Sequence, residues 1–446
     1  MKIRNPPSDP TSKPWRASTV PGSGEVPIRL QLLLFMSSAH FIHHLELYAF
    51  PSMLILISQE IPLSYLEMGI LGSFPILIMA ITSPIVGYFG NNTRLGFFIV
   101  LLGIFLFSFS SFMISISGDF FNLLIGNILL GLGCTTFHPV GLGVSANSFT
   151  GENRGKAMAV NHAAGVIGTA LSPLGTLGLA IYILGDWRQT FLLIGLGCLI
   201  ALIIMTSWVV LQRLITRYMI LIQKDDLEVK EERPSKISEN DYKNWIILTL
   251  GIIITISALR GGVYRLISYF TVTLLRDFYN VGSFEAGVMT SFILLLGSGS
   301  DIYGAYISDK SGSYGRVRII LISAVGTSLA ILSLIFITEY FSEIWAILIG
   351  FSLFAICFYL AGGTLQALMS DIVPQESRTF FYSIVFSLGL VVSSISPTLF
   401  GALLDLFQSP VAGFAFMLLL IFSSFFVTIL FQKRLSFAVK HDLLSP

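Results

Sequence analysis

The stretch HFIHHLELY places His40, His43, His44 and Glu46 within seven positions of an otherwise apolar run. Imidazole changes charge near neutral pH, and a neighbouring carboxylate extends the same proton-handling chemistry. At ~100° per residue, His40, His43, His44 and Tyr48 share one side of a helix, with Glu46 next to His43. Such a stripe reads as a proton relay facing a bound molecule, with His44, His40 and Glu46 carrying the proton and His43 orienting the molecule. The plainer alternative is a set of neutral histidines hydrogen-bonded in a core. A second constellation lies in ISALRGGVYRLISYF, where Arg260 and Arg265 sit in another apolar run with Ser257, Tyr264 and Ser268. A guanidinium in such a setting wants an anion, either a ligand carboxylate or phosphonate or a protein acid. Glu46 and Asp301 are the internal candidates, and an Arg–acid pair locking two parts of the protein is the structural alternative. Tyr264 is a further candidate for orienting a ligand.

Three other residues need placing. Asp301, in GSGSDIYGAY, reads either as a proton site or as a structural acid at a helix terminus. His138 precedes Pro139, which frees a backbone carbonyl in a helix, and its functional and structural readings are balanced. His162 reads as structural, and the two are expected to approach each other. His40 and His44, at i and i+4 with Glu46 nearby, have the spacing to take a metal, but the H-E-x-x-H order of a zinc hydrolase is missing. Cys134, Cys198 and Cys357 have no C-x-x-C spacing, and no phosphate-binding loop occurs. No metal, cofactor or enzyme site is expected.

The elements that hold these groups follow from composition. The 446 residues are 54% hydrophobic and 11% charged, with a net charge of +1. Soluble domains carry about 25% charged residues, so the expected solvent is a lipid bilayer, and nothing points to nucleic acid. Runs of about 20 apolar residues, enough to span a membrane, recur twelve times. They lie at about 28–57, 65–89, 95–117, 120–148, 157–184, 189–211, 244–275, 283–307, 317–338, 342–371, 379–405 and 409–432. Barrel strands are excluded because they alternate apolar and polar residues over roughly 10 positions.

All but four of the 26 lysines and arginines fall in the tails and in the even-to-odd connections. The exceptions are Arg188 and Arg276 in the opposite loops, and Arg260 and Arg265 inside a span. By the positive-inside rule both termini are cytoplasmic. The Pro-rich segment 1–27 reads as a disordered cytoplasmic tail without the features of a signal peptide. A six-helix bundle over 28–212, a charged cytoplasmic linker over 213–243, a second bundle over 244–436 and a tail over 437–446 complete the division. The Asn91-Asn92-Thr93 sequon falls on the cytoplasmic side in this topology and reads as accidental.

The two halves repeat. Glu152, Arg154, Gly165, Ser172 and Pro173 recur 224 positions later as Glu376, Arg378, Gly389, Ser396 and Pro397. Glu67, Gly69, Ser73, Phe74 and Asn91 recur 218 positions later as Glu285, Gly287, Ser291, Phe292 and Asp309. Parallel six-span halves with such a repeat resemble the major facilitator superfamily of transporters. The loop GAYISDKSGSYGR resembles that family's G-x-x-x-D-[RK]-x-G-R motif, with Asp309, Lys310 and Gly312 in place. In the first half Asn91 stands where the acid is expected, leaving Gly87 and Arg94. The family motif pairs charges that hold the halves in one conformation, so the first-half latch is expected to be weaker here.

The F-H-P of the fourth span and His40 in the first resemble the fosmidomycin-resistance-like branch, which exports small organic compounds. His44 stands where that branch has an acid, and Asn127 where the family has a fourth-span arginine. The resemblance implies an all-α fold of twelve transmembrane helices in two pseudo-symmetric bundles. It also implies a cavity lined by the first and seventh spans. The implied activity is proton-coupled secondary transport of a small organic molecule across the plasma membrane by a monomer. The arginines make an anion the expected substrate, with Arg260, Tyr264, Arg265, His43 and His138 as its contacts. Proton coupling is expected from Glu46, His44, His40 and Asp301. A multidrug–proton antiporter and a non-transporting receptor or scaffold are the alternatives.

Overall fold

The computed structural model describes residues 25–90, 93–141, 152–215, 239–341, 343–372 and 378–440. Most of the N-terminal tail, most of the linker and the last six residues lie outside them, as does Asn91. Twelve described helices are long and apolar enough to cross a membrane. The first six are α1 Leu30–Glu60, α2 Tyr65–Gly90, α3 Leu95–Ser115, α4 Phe120–Gly141, α5 Ala157–Ile183 and α6 Trp187–Val210. The second six are α7 Ile247–Tyr279, α8 Ser283–Asp309, α9 Tyr314–Tyr340, α10 Ile344–Met369, α11 Ile384–Phe407 and α12 Pro410–Leu435. A helix satisfies its own backbone, which is what a span without water requires.

Side chains sort by the solvent each face meets. Phe105, Phe109, Ile200, Ile204, Phe422 and Phe426 are exposed at helical spacing, as lipid-facing stripes are. Phe50, Phe191, Phe270, Phe351, Phe400 and Phe414 are fully buried in a core that runs through both halves.

The halves pack alike: α1 on α5 matches α7 on α11, and α3 on α6 matches α9 on α12. They join through α2 against α11 and α5 against α8. Part of the sequence repeat lies at these two seams. A side-chain carbon on Gly69 would lie 2.8 Å from the Pro397 carbonyl carbon. One on Gly287 would lie 3.0 Å from the Pro173 oxygen. Only glycine lets these backbones approach so closely. The two offsets therefore mark the two sides of one contact, made twice.

Two spans depart from the uninterrupted helices read from sequence. The fourth stops at Thr135 with Thr136 as its cap and resumes at His138. The tenth stops at Tyr359 with Leu360 as its cap and resumes at Gly362. The caps are separated by the repeat distance, so each half carries the same break.

At the face carrying the odd-to-even loops, Asp405 of α11 caps the N-terminus of α2. Its carboxylate accepts the N–H groups of Tyr65 at 3.0 Å and Leu66 at 2.8 Å. The Tyr65 hydroxyl donates to Asp277 of α7 at 3.1 Å. Ser73 and Thr398 share a hydrogen bond of 2.7 Å just below. A carboxylate cap is worth about 1 kcal/mol. Asp405→Ala is therefore expected to open this seam about fivefold more often. Labelling of a Ser73→Cys variant by an impermeant maleimide, read by mass spectrometry, should accelerate accordingly. An unchanged rate would show that the cap does not hold the face shut.

Candidate functional site

The histidine stripe of α1 faces α4 and α5. His40 is buried, its Nδ1 lying 2.8 Å from the main-chain oxygen of Asn161 and 2.7 Å from that residue's Oδ1. Its Nε2 lies 3.1 Å from Nε2 of His44. The other ring nitrogen of His44 lies 2.9 Å from the Thr169 hydroxyl. Gly165 makes room for this, since a side-chain carbon there would meet the His40 ring at 2.7 Å. Phe137 stacks on His40 at 4.5 Å. His138 brings its ring within 5.7 Å of His40, 4.6 Å of His43 and 5.6 Å of His44. His43 is fully buried, and neither of its ring nitrogens has a partner.

Glu46 does not join the stripe. Its carboxylate turns to α3 and α6, accepting from Ser111 Oγ at 2.8 Å and Cys198 Sγ at 2.9 Å. It reaches neither arginine. The Glu46–Arg pairing considered from sequence is therefore not formed.

The two arginines of α7 diverge. Arg260 is buried inside the second half, its Nη2 donating to Ser323 Oγ at 2.9 Å and to the Phe358 carbonyl at 2.7 Å. The guanidinium lies over the Phe358 ring at 4.9 Å, and its Nη1 has no partner. Among the described residues no acid pairs with it, neither Glu46 nor Asp301. Arg265 instead lines a cavity between the halves with Tyr48, Asn127, Ser268 and Tyr269. Two of its lining groups lack partners, Arg265 Nε and Asn127 Oδ1. The Tyr48 and Tyr264 hydroxyls hydrogen-bond across the halves beside it. The cavity measures about 20 Å³, room for roughly one water molecule.

Asp301 makes two contacts beyond its own helix. Its Oδ1 accepts the Gly363 N–H at 2.5 Å, capping the helix that resumes after the break in α10. Its Oδ2 lies 3.2 Å from His162 Nε2, across the halves. His162 thus meets Asp301 rather than His138. In the motif loop, Asp309 pairs with Arg316 at 3.6 Å, and Lys310 donates to the Tyr306 hydroxyl at 2.5 Å. Gly312 has φ +59, the left-handed conformation that favours glycine. These contacts all stay within the second half. Asn91 and the Arg94 side chain lie outside the described residues.

Sequence reasoning gave no role to Asn161 or Thr169, and it noted Asn127 only as a departure from a family arginine. Asn161 and Thr169 lie eight positions apart in a helix, hence on one face. That spacing is the signal by which they could have been paired with His40 and His44.

The model for the Major Facilitator Superfamily matches residues 36–397. The chain belongs to the Major Facilitator Superfamily. A probable L-galactonate transporter of Escherichia coli K12 is 24% identical over 398 residues, 84% of this chain and 82% of that protein. A citrate-proton symporter of Salmonella typhi is 26% identical over 226 residues, 49% of this chain and 47% of its own length. The fold resembles a bacterial homologue of the human lysosomal transporter Spinster, solved inward-facing and unoccupied, with a TM-score of 0.72 at 14% identity. That likeness covers 92% of this chain and 98% of the other. The protein is thus a multi-pass membrane transporter of the superfamily, not an enzyme.

The arginines should separate by experiment. Arg260→Ala removes the stronger of two donors to the Phe358 carbonyl and leaves a cavity, at a cost of about 2–4 kcal/mol. Its melting temperature should fall by several degrees. Arg265→Ala removes a buried unpartnered donor, so its stability should stay within about 0.5 kcal/mol of wild type or rise. Equal losses in thermal melts of the two purified variants would make Arg265 structural as well.

Proposed function

We propose that this transporter moves a small hydroxylated carboxylate, coupled to protons, by rocking its two six-helix halves about the Arg265 cavity. The observation that carries the reading is a guanidinium at membrane depth with an unpartnered N–H, opposite an unpartnered amide oxygen on Asn127. A guanidinium suits a carboxylate, and the Asn127 oxygen suits a ligand hydroxyl. Tyr48 and Tyr264, bonded to one another across the halves, are poised to exchange that bond for substrate. The relatives' names, an L-galactonate transporter and a citrate-proton symporter, support the same substrate class and the same coupling. The fosmidomycin-resistance-like resemblance supports handling of a small organic compound, and a plasma-membrane monomer fits the reading.

The proton is assigned to Asp301 with His162. Glu46 faces away from the cavity, and His40 and His44 are bonded to each other. The Asp301–His162 contact crosses the halves, so adding a proton to Asp301 removes the charge that draws His162 and loosens one contact between α5 and α8. The Gly363 N–H remains as the neutral partner of Asp301.

The test uses proteoliposomes with an internal pH-sensitive dye and labelled solutes. Hydroxycarboxylates should evoke proton movement in wild type. Arg265→Gln should raise their KM by roughly tenfold or more. Asp301→Asn should still exchange labelled anion while losing the proton flux. Proton movement evoked by lipophilic cations and indifferent to Arg265→Gln would contradict the reading and favour a drug antiporter. If no solute moves in any arm, the transport reading itself falls.

A further inference from the structure

We propose that His40, His44 and His138 form a binding site for a divalent transition-metal ion of the zinc and cobalt class, beside the Arg265 cavity. One ligand nitrogen from each of the three rings falls within 4.8 Å of the others. The tightest pair, His40 Nε2 and His44 Nε2, is 3.1 Å apart. Metal–imidazole bonds of about 2.0–2.1 Å put neighbouring nitrogens of a tetrahedral site roughly 3.3 Å apart. His138 comes from the start of the helix that resumes after the break in α4. That break turns two histidines on one helix into a cluster of three, a placement that spacing along the chain could not reveal.

The surroundings complete the case. A metal-binding imidazole needs its other nitrogen held by an acceptor. The Asn161 main-chain oxygen, 2.8 Å from His40 Nδ1, can only accept, so that nitrogen carries the hydrogen and Nε2 offers its lone pair. His44 Nδ1 faces the Thr169 hydroxyl, whose own hydrogen has a second destination in the Gly165 carbonyl at 3.1 Å. With that hydrogen on Gly165, Thr169 accepts from His44 Nδ1, and His44 Nε2 also becomes a lone pair directed at His40. Two lone pairs this close need a cation between them. With the hydrogen on His44 instead, Nε2–H of His44 donates to His40 and no cation is needed. Thr169 keeps a hydrogen bond in either case, so the pair can change from a hydrogen bond to a chelate at no cost to its supports.

His43 is the second observation. It is fully buried with both ring nitrogens unpartnered, its ring 4.6 Å from His138 and 5.0 Å from His44. Three imidazoles leave a tetrahedral ion one open position, and His43 stands beside the cluster with both ring nitrogens unpartnered. Imidazole ligands without thiolate or a bound carboxylate favour zinc, cobalt, nickel and copper over magnesium or calcium. Glu46, the acid closest in sequence, is held by Ser111 and Cys198 on the other side of α1.

The probe is Co²⁺, added to the full-length protein purified in detergent without a polyhistidine tag. Tetrahedral Co²⁺–imidazole absorption should saturate at one ion per chain and be displaced by Zn²⁺. His138→Gln, which breaks no side-chain hydrogen bond among the described residues, should abolish the signal while eluting and melting as wild type. Thr169→Val keeps all three rings but removes the support of His44, and should weaken binding by about 10–100-fold. Glu46→Gln should bind as wild type. No saturable absorption, or absorption that survives His138→Gln, overturns the proposal. The readout needs no transport, so its failure leaves the anion reading intact, and the reverse holds too.

Discussion

A polar side chain at membrane depth has no water to fall back on, and an unpaired one costs several kcal/mol. That constraint organises the interior of this protein. Glu46 is tolerated because Ser111 and Cys198 both donate to it. Arg260 is tolerated because Ser323 and the Phe358 carbonyl receive it. Asp301 sits on a backbone N–H exposed by the break in α10. Many buried serines and threonines return their hydrogens to their own helix four residues back, as Ser52, Ser83 and Thr428 do. Against that background, unpaired Arg265 Nε and Asn127 Oδ1 in one cavity between the halves stand out. Groups that the fold leaves unsatisfied, in a cavity lined by both halves, are available to a ligand.

The same pairs of helices supply closure and opening. Gly69 on Pro397 and Gly287 on Pro173 bring backbones into contact at equivalent seams. Asp405 fastens the first seam at the odd-to-even face, and His162–Asp301 joins the second further along. With these contacts made, the cavity is too small for an organic substrate. The halves must part to admit one, and the bonds that yield are between side chains and short caps. The packed core of each half can stay intact, which is how a two-body carrier moves without unfolding.

Much of the fold was legible in the sequence. Bilayer thickness sets a length scale that apolar runs report directly, so twelve spans were found, with the stretch 142–148 of the fourth outside the described residues. The two repeat offsets came from ten pairs of positions, and among these Gly69 with Pro397 and Gly287 with Pro173 proved to lie at the seams. The breaks at Thr136 and Leu360 were not legible, because a two-residue interruption leaves the hydropathy of a span unchanged. The site was legible only in its parts. Arg260 and Arg265 are five positions apart, about 140° around a helix, and nothing in one sequence says which direction faces the partner half. Glu46 lies close to His43 on the wheel, yet its longer side chain reached two donors on α3 and α6. His138 and His162 were expected to approach each other; the direct contacts they make are with the histidine stripe for one and Asp301 for the other.

The claim most exposed to test is that the substrate carboxylate lands on Arg265. The direct measurement is an experimental structure of the protein determined with the anion that it moves. The account predicts ligand density in a widened cavity between the halves, with a carboxylate against the Arg265 guanidinium and a hydroxyl against Asn127. Arg260 should keep its bonds to Ser323 and Phe358 in that state. Ligand density against Arg260, or anywhere that leaves Arg265 and Asn127 without a partner, would contradict it.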